Sequence, residues 1–212
     1  MVQETGRRAR NRLERHQAFL RTAKAIVSAE GLEALTMQRI ARALDCAVGT
    51  AYTYFPSKSA LVAELQREAI DLVAERYMLF RERSTLEIGR SDTTAPVAAL
   101  AHLVGFGRFW QATASELPDE ARLLQLLLVE TGGSVIAEED IGRVLPAGLR
   151  LLGYAEAAVA AAAAAGALIP GDARQRTLLL VFATNGVLAL DRLARVDAEL
   201  FDAARLADLL VD

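Results

Sequence analysis

Thr36-Met37-Gln38-Arg39-Ile40-Ala41-Arg42-Ala43-Leu44-Asp45-Cys46-Ala47-Val48-Gly49-Thr50-Ala51-Tyr52-Thr53-Tyr54-Phe55-Pro56-Ser57-Lys58 is the stretch on which the fold turns. Thr36 suits an N-cap, because its hydroxyl can satisfy a backbone N–H left free at a helix start. The short helix it opens carries Ile40, Ala41 and Leu44 on one side. Asp45-Cys46-Ala47 breaks that pattern, and a second short helix is expected from about Val48 to Tyr54. Pro56-Ser57 ends it, and Ser57 can cap a long helix from Lys58 to about Arg83. Upstream, Phe19, Leu20, Ala23, Ile26 and Val27 form one helical apolar stripe, and Gly31 is a stop that takes the left-handed conformation cheaply. Two short helices joined by a tight turn and propped by a longer preceding one make a helix-turn-helix.

Further along, the helical period continues and alternating strand patterns are scarce. Residues 84–95 are polar and read as a loop. Helices are expected at about 96–115, 119–133 and 138–152. An alanine-rich helix at about 154–168 is closed by Pro170-Gly171, and a strongly apolar one follows at about 174–195. The last spans about 198–211, giving an all-α chain of nine or ten helices without internal repeats.

Composition narrows the possibilities. In 212 residues, 53% hydrophobic and 24% charged side chains supply a sizeable core and argue against intrinsic disorder. The single cysteine, Cys46, excludes an intramolecular disulfide and suits a reducing cytoplasm. With only His16 and His102, most His-rich metal or catalytic schemes are excluded; no metal site and no cofactor are expected. Residues 1–20 are arginine-rich with no continuous apolar stretch, so no secretory signal is read. The longest weakly polar run, residues 157–169, is mostly alanine and too short for a membrane span of about 20 apolar residues.

Charge is unevenly placed. Residues 1–58 hold ten Lys/Arg against five acids, net +5, while the remainder is net −8. A basic end on an acidic body fits a polyanion-binding module; a solvated helix face with a basic tail is the other reading.

The residues Thr36-Met37-x-x-Ile40-Ala41-x-x-Leu44 followed by Gly49-Thr50-Ala51-Tyr52-Thr53-Tyr54-Phe55-Pro56-Ser57-Lys58, after the Phe19–Gly31 stripe, resemble the DNA-binding domain of the TetR (tetracycline-repressor) family over roughly residues 12–68. The resemblance implies an N-terminal three-helix helix-turn-helix DNA-binding domain, here 1–57 with a basic extension. A larger helical effector-binding and dimerisation domain, 58–212, would follow.

A recognition helix must bring its N-terminal residues to base edges in a major groove about 12 Å wide. Gly49 and Thr50 are small enough for close approach, and Thr50 offers a hydroxyl. Thr53 and Tyr54 are expected to point outward, with Tyr52 and Phe55 leaning toward the core. Tyr52 is read as half core, half contact, and Gly49 either as a contact residue or as one present for packing. Lys58, in the first turn of its helix, sits where a phosphate is favoured, or else is a surface lysine. By resemblance, Thr36 and Gln38 reach the backbone or a base, and Arg7, Arg8, Arg10 and Arg12 either extend the contact or form a solvated tail. Where the family often has Gly-Val-Ser, this chain has Asp45-Cys46-Ala47. Aspartate tolerates a left-handed turn. Ala47 brings no hydroxyl, and Val48 offers an apolar contact suited to a thymine methyl.

Two-turn recognition helices act as symmetric pairs. By resemblance, the helices at about 154–168 and 174–195 would pair with their copies in a homodimer; ordinary burial is the alternative reading. Asn185-Gly186 either sets the interface register or is satisfied internally. The middle helices would hold a small-molecule effector, with His102, Phe106, Phe109 and Trp110 the richest aromatic cluster and Glu130 a polar anchor. Core packing for the aromatics and simple exposure for Glu130 are the competing readings.

The expected function is a ligand-responsive, cytoplasmic repressor of transcription that binds double-stranded operator DNA as a homodimer and has no membrane partner. An activator, or a regulator without a ligand, is the alternative. An enzyme is the remote one: Gly105-Phe106-Gly107 has Trp110 where a third glycine is needed, and no nucleophile elbow or phosphate loop occurs.

Overall fold

The protein is described here by a computed structural model covering residues 2–129 and 136–189, with 196, 197, 199, 200, 202 and 205. Eight α-helices and one 3-10 turn occur among the described residues: α1 (Val2–Glu30), the turn Leu32–Ala34, α2 (Met37–Ala43), α3 (Val48–Tyr54), α4 (Lys58–Ile88), α5 (Ala95–Glu116), α6 (Pro118–Val129), α7 (Glu138–Ala164) and α8 (Ala173–Ala189). The class is all-α, as the periodicity implies. Contacts divide the chain into two units: the described residues within Met1–Glu68 and Glu130–Val144, and those within Ala69–Val129 and Leu145–Asp212.

In the first unit, the stripe Phe19, Leu20, Ala23, Ile26 and Val27 of α1 is buried with Leu35, Met37, Ile40, Ala41, Ala51 and Phe55. Gly31 ends α1 at φ +86°, the left-handed conformation a C′ glycine supplies. Thr36 caps α2, its Oγ1 accepting from the Arg39 N–H at 3.2 Å. Ser57 caps α4, accepting from the Ala60 N–H at 2.9 Å. Between α2 and α3, Asp45 sits at φ +47°, the one non-glycine residue with positive φ among those described. The Cys46 N–H closes the turn on the Ala41 carbonyl at 2.9 Å. Aspartate therefore does the work of the missing glycine at the small cost expected for αL.

The second unit departs from the sequence reading at its helix ends. α4 continues to Ile88 rather than stopping near Arg83, so the loop shrinks to residues 89–94. Polar side chains at a helix's exposed end look like loop, yet Thr85 Oγ1 simply donates to the Arg81 carbonyl at 2.8 Å within the helix. The helices expected at 138–152 and 154–168 are one helix, α7, since alanine strongly favours helix and Gly153 alone does not break it. Gly166 (φ +76°) closes it, not Pro170-Gly171. The Gly166 N–H bonds the Ala163 carbonyl and the Ala167 N–H the Ala162 carbonyl, a Schellman cap. Most of the helix expected at 198–211 falls outside the described residues. α7 is long and apolar enough to cross a bilayer by length and composition. Its buried stripe of Val144, Ala147, Leu151, Ala155, Val159 and Ala162 is that of a packed amphipathic helix.

Replacing Ile40, wholly buried between the short helices, with alanine should cost about 3 kcal/mol. A lowered denaturant midpoint with an unchanged m-value would register it; an unchanged midpoint would contradict the packing.

Candidate nucleic-acid interface

α3 is fixed in rotation by Ala51, Tyr54 and Phe55, at i, i+3 and i+4, which turn one face toward α1. Ala51 and Phe55 are buried; Phe55 stacks on His16 (centroids 4.7 Å) and meets Phe19 edge-on at 6.3 Å. Tyr54 is half-buried, 5.1 Å from the Phe19 ring. Sequence reading assigned the two tyrosines the other way round. Tyr52 lies one residue past Ala51, about 100° around the helix, and is 46% exposed, so it faces solvent while Tyr54 packs.

The outward surface of α3 therefore presents Gly49, Tyr52 and Thr53, all exposed, with Val48 and Thr50 half-exposed. A Cβ on Gly49 would meet nothing within 4 Å, so internal packing does not demand glycine there. Thr53 Oγ1 donates to the Gly49 carbonyl at 3.0 Å, leaving its lone pairs outward. Ala47 is the exposed N-cap of α3 and makes no side-chain cap bond, so N–H groups at this helix start are open to an external acceptor.

Around α3, Thr36 and Gln38 are exposed at the start of α2. Arg39 is paired to Glu30, its Nη1 donating to Oε2 at 2.8 Å and its Nη2 to Oε1. Those bonds hold the Glu30 carboxyl below the usual carboxylate range and raise Arg39 in return. Lys58 Nζ donates to the Leu32 carbonyl at 3.0 Å and is half-buried. An ammonium has three donors, so this tie leaves two for other partners. The arginines 7, 8, 10 and 12 are exposed on α1, which continues as helix beyond the core rather than as a loose tail.

Sequence reasoning missed a polar cluster beneath this interface. Asp140, buried in the first turn of α7, accepts from Ser59 Oγ at 2.6 Å, Ser57 Oγ at 3.5 Å and Arg143 Nε at 3.0 Å. Ser59 Oγ in turn accepts from the Ala137 N–H at 2.7 Å. In sequence, Glu138-Glu139-Asp140 looks like a routine acidic first turn. Only burial separates Asp140 from its neighbours.

Of the expected effector residues, the second unit brings Phe106 and Phe109 together around Tyr77, at 5.0 and 5.3 Å, with Phe80 and Tyr154 beside them. Burial pushes the Tyr77 phenol above its usual range. A Cβ at Gly105 would lie 3.4 Å from the Phe80 ring, at the near limit of ordinary contact, and Gly105 stands within α5 rather than in a phosphate loop. His102 and Trp110 are half-buried on α5 and make no ring contact among the described residues. Glu130 lies outside the described residues. No cluster of three or more metal-ligating side chains occurs among those described.

A tri-helical unit that holds a short helix outward by its aromatic face, with small and hydroxyl residues on the free side, defines a helix-turn-helix nucleic-acid-binding module. Residues 19–65 match the family model described as "Bacterial regulatory proteins, tetR family", and over that stretch the chain is similar to this family. It is 45% identical over 69 residues to the HTH-type transcriptional repressor KstR of Mycolicibacterium smegmatis, covering 31% of this chain and 34% of that protein. With KstR of Mycobacterium tuberculosis it shares 48% over 56 residues, 26% of each. The matched stretch thus spans about a third or less of these relatives' length. Across nearly the whole chain the fold is similar to a putative transcriptional regulator from Saccharomonospora viridis in complex with choline (TM-score 0.63, 19% identity, 93% of both chains). It is also similar to FadR from Bacillus subtilis in complex with stearoyl-CoA (TM-score 0.54, 19% identity, 92% of this chain, 95% of that one). The matched family and the KstR relatives are transcriptional regulators, not enzymes.

Tyr52→Ala should leave thermal stability within about 0.5 kcal/mol of the parent yet lower duplex affinity about tenfold. Tyr54→Ala should cost roughly 2 kcal/mol of stability through lost ring packing. Paired melting and mobility-shift curves distinguish them; a Tyr52→Ala protein that melts low but binds normally would reverse the assignment.

Proposed function

We propose that this protein is a homodimeric, ligand-responsive repressor that binds a pseudo-palindromic operator through Thr36, Gln38, Ala47, Val48, Gly49, Thr50, Tyr52, Thr53 and Lys58. Tyr54 serves mainly as the residue that sets the angle of α3. The observation that carries the reading is the outward face of α3, where small and hydroxyl side chains surround a glycine that no internal contact requires. The net +5 of residues 1–58 against −8 in the rest suits a module that meets phosphate at one end only. Exposed arginines on the helical start of α1 add to that field. Two functional parts follow, 1–57 for DNA and 58–212 for effector and dimer. A regulator must meet its DNA where the chromosome lies, and we place this chain in the cytoplasm.

Dimerisation is assigned to α8 and the alanine-rich half of α7. On α8, Leu179 (72% exposed), Phe182 (51%), Ala183 and Gly186 fall at i, i+3, i+4 and i+7, an apolar stripe turned to solvent. On α7, Ala157, Ala160, Ala161 and Ala164 form a matching exposed face of small side chains that permits close helix approach. Asn185 is buried and donates to the Val181 carbonyl at 2.7 Å, which favours internal satisfaction over a register role. The effector belongs with the second unit, near the aromatic cluster of Tyr77, Phe106 and Phe109; His102, Trp110 and Glu130 are further candidates. The names of similar regulators, bound to choline or stearoyl-CoA, support a small organic effector. An allosteric coupling of about 1–3 kcal/mol would change operator affinity 5–150-fold.

Lys58→Ala should weaken binding to every duplex and reduce the log–log salt slope by about one, because it removes one phosphate-facing charge. Mobility shifts on fragments flanking its own coding region, across a salt series, test this; unchanged affinity and slope would remove Lys58 from the interface. A Leu179→Glu/Phe182→Glu protein should sediment as a monomer and lose cooperative half-site binding, whereas a persistent dimer would place the interface elsewhere.

A further inference from the structure

One face of α4 in the second unit is left unused by the reading above. An open groove of about 890 Å³ runs there, lined by α4 residues together with Arg150 and Tyr154 of α7. Glu75, Leu79 and Glu82, at i, i+4 and i+7, share one stripe of it, with Met78 alongside. Leu79 is 55% exposed and Met78 41%, so apolar surface lies open between two carboxylates about 10 Å apart along the helix axis.

The charges in this groove are unequally matched. Arg150 is taken up by an ion pair with Asp71. Glu75 and Glu82 are exposed and have no ion pair or hydrogen bond among the described residues, leaving Arg81 as the one lining cation without a carboxylate partner there. The chain beyond residue 58 is net −8, so the surrounding field repels anions and gathers cations. The Tyr154 ring, backed by Tyr77 at 5.6 Å, and the Met78 thioether are polarisable surfaces, and an aromatic face attracts an alkylammonium.

We propose that this groove binds an organic cation carrying an apolar chain, with the cationic head at Glu75 or Glu82 and the chain laid over Met78 and Leu79. The proposal rests on reading the second unit as the effector-bearing part; the groove adjoins the aromatic cluster through Tyr154, which packs on Tyr77, and it gives the chemical class of a ligand held on that side of α4.

The test is isothermal titration calorimetry of the full-length protein, without DNA, against decyltrimethylammonium and against decanoate, both below their micellar range. Saturable uptake of the cation, one per chain, with no matching uptake of decanoate, is expected. The exposed double variant Glu75→Gln/Glu82→Gln should weaken the cation about tenfold, since two surface carboxylates are lost. Arg81→Gln should tighten it severalfold, a sign that a merely damaged fold would not produce. Equal binding of decanoate, no saturable uptake of the cation, or unchanged affinity in the double variant would each overturn the proposal. Operator retardation by the same preparations is scored separately. Failure of the groove therefore leaves DNA binding standing, and failure of DNA binding is visible by itself.

Discussion

The packing of Phe55 and Tyr54 against His16 and Phe19 is the constraint on which the exposed surface of α3 depends. A seven-residue helix cannot hold its own orientation, because isolated helices of that length are marginal in water. Three side chains on one face set the rotation of α3, and the opposite face is thereby defined. Gly49, Tyr52 and Thr53 are outward because Ala51, Tyr54 and Phe55 are inward. The Asp45 turn, held by the Cys46 N–H on Ala41, sets where that short rod begins.

The start of α4 is anchored with comparable care. Ser57 serves as cap, while Ser59 and Asp140 tie the first turn of α4 to the first turn of α7 within the same unit. A buried carboxylate is costly unless its lone pairs are met, and here three donors meet them. α7 then continues into the second unit as one uninterrupted helix.

Much of the first unit was legible in the sequence because its signals are local. Thr36 and Ser57 cap the helices they precede, Gly31 stops α1, and Asp45 takes the left-handed turn. Each of these depends on a few neighbouring residues. Rotation of α3 was not legible: Tyr52 and Tyr54 are both aromatic and two residues apart, and only the tertiary contact with α1 selects between them. Asp140 was hidden for the same reason, standing in an acidic first turn with two exposed glutamates. In the second unit, alanine propensity carried α7 straight through Gly153, where a sequence pattern suggested a break. The aromatic cluster was visible by spacing, but its central member, Tyr77, lies on α4 and its distance from Phe106 in sequence gave no cue.

The central claim is that the outward side of α3 lies against DNA. Photo-crosslinking tests it most directly, with benzoylphenylalanine placed at Thr53 or, as a comparison, at the exposed Val97 of α5. With a bound duplex taken from beside the coding region, illumination should attach DNA to the protein labelled at position 53 and leave the one labelled at 97 free. Attachment at 97 in preference to 53 would contradict the account.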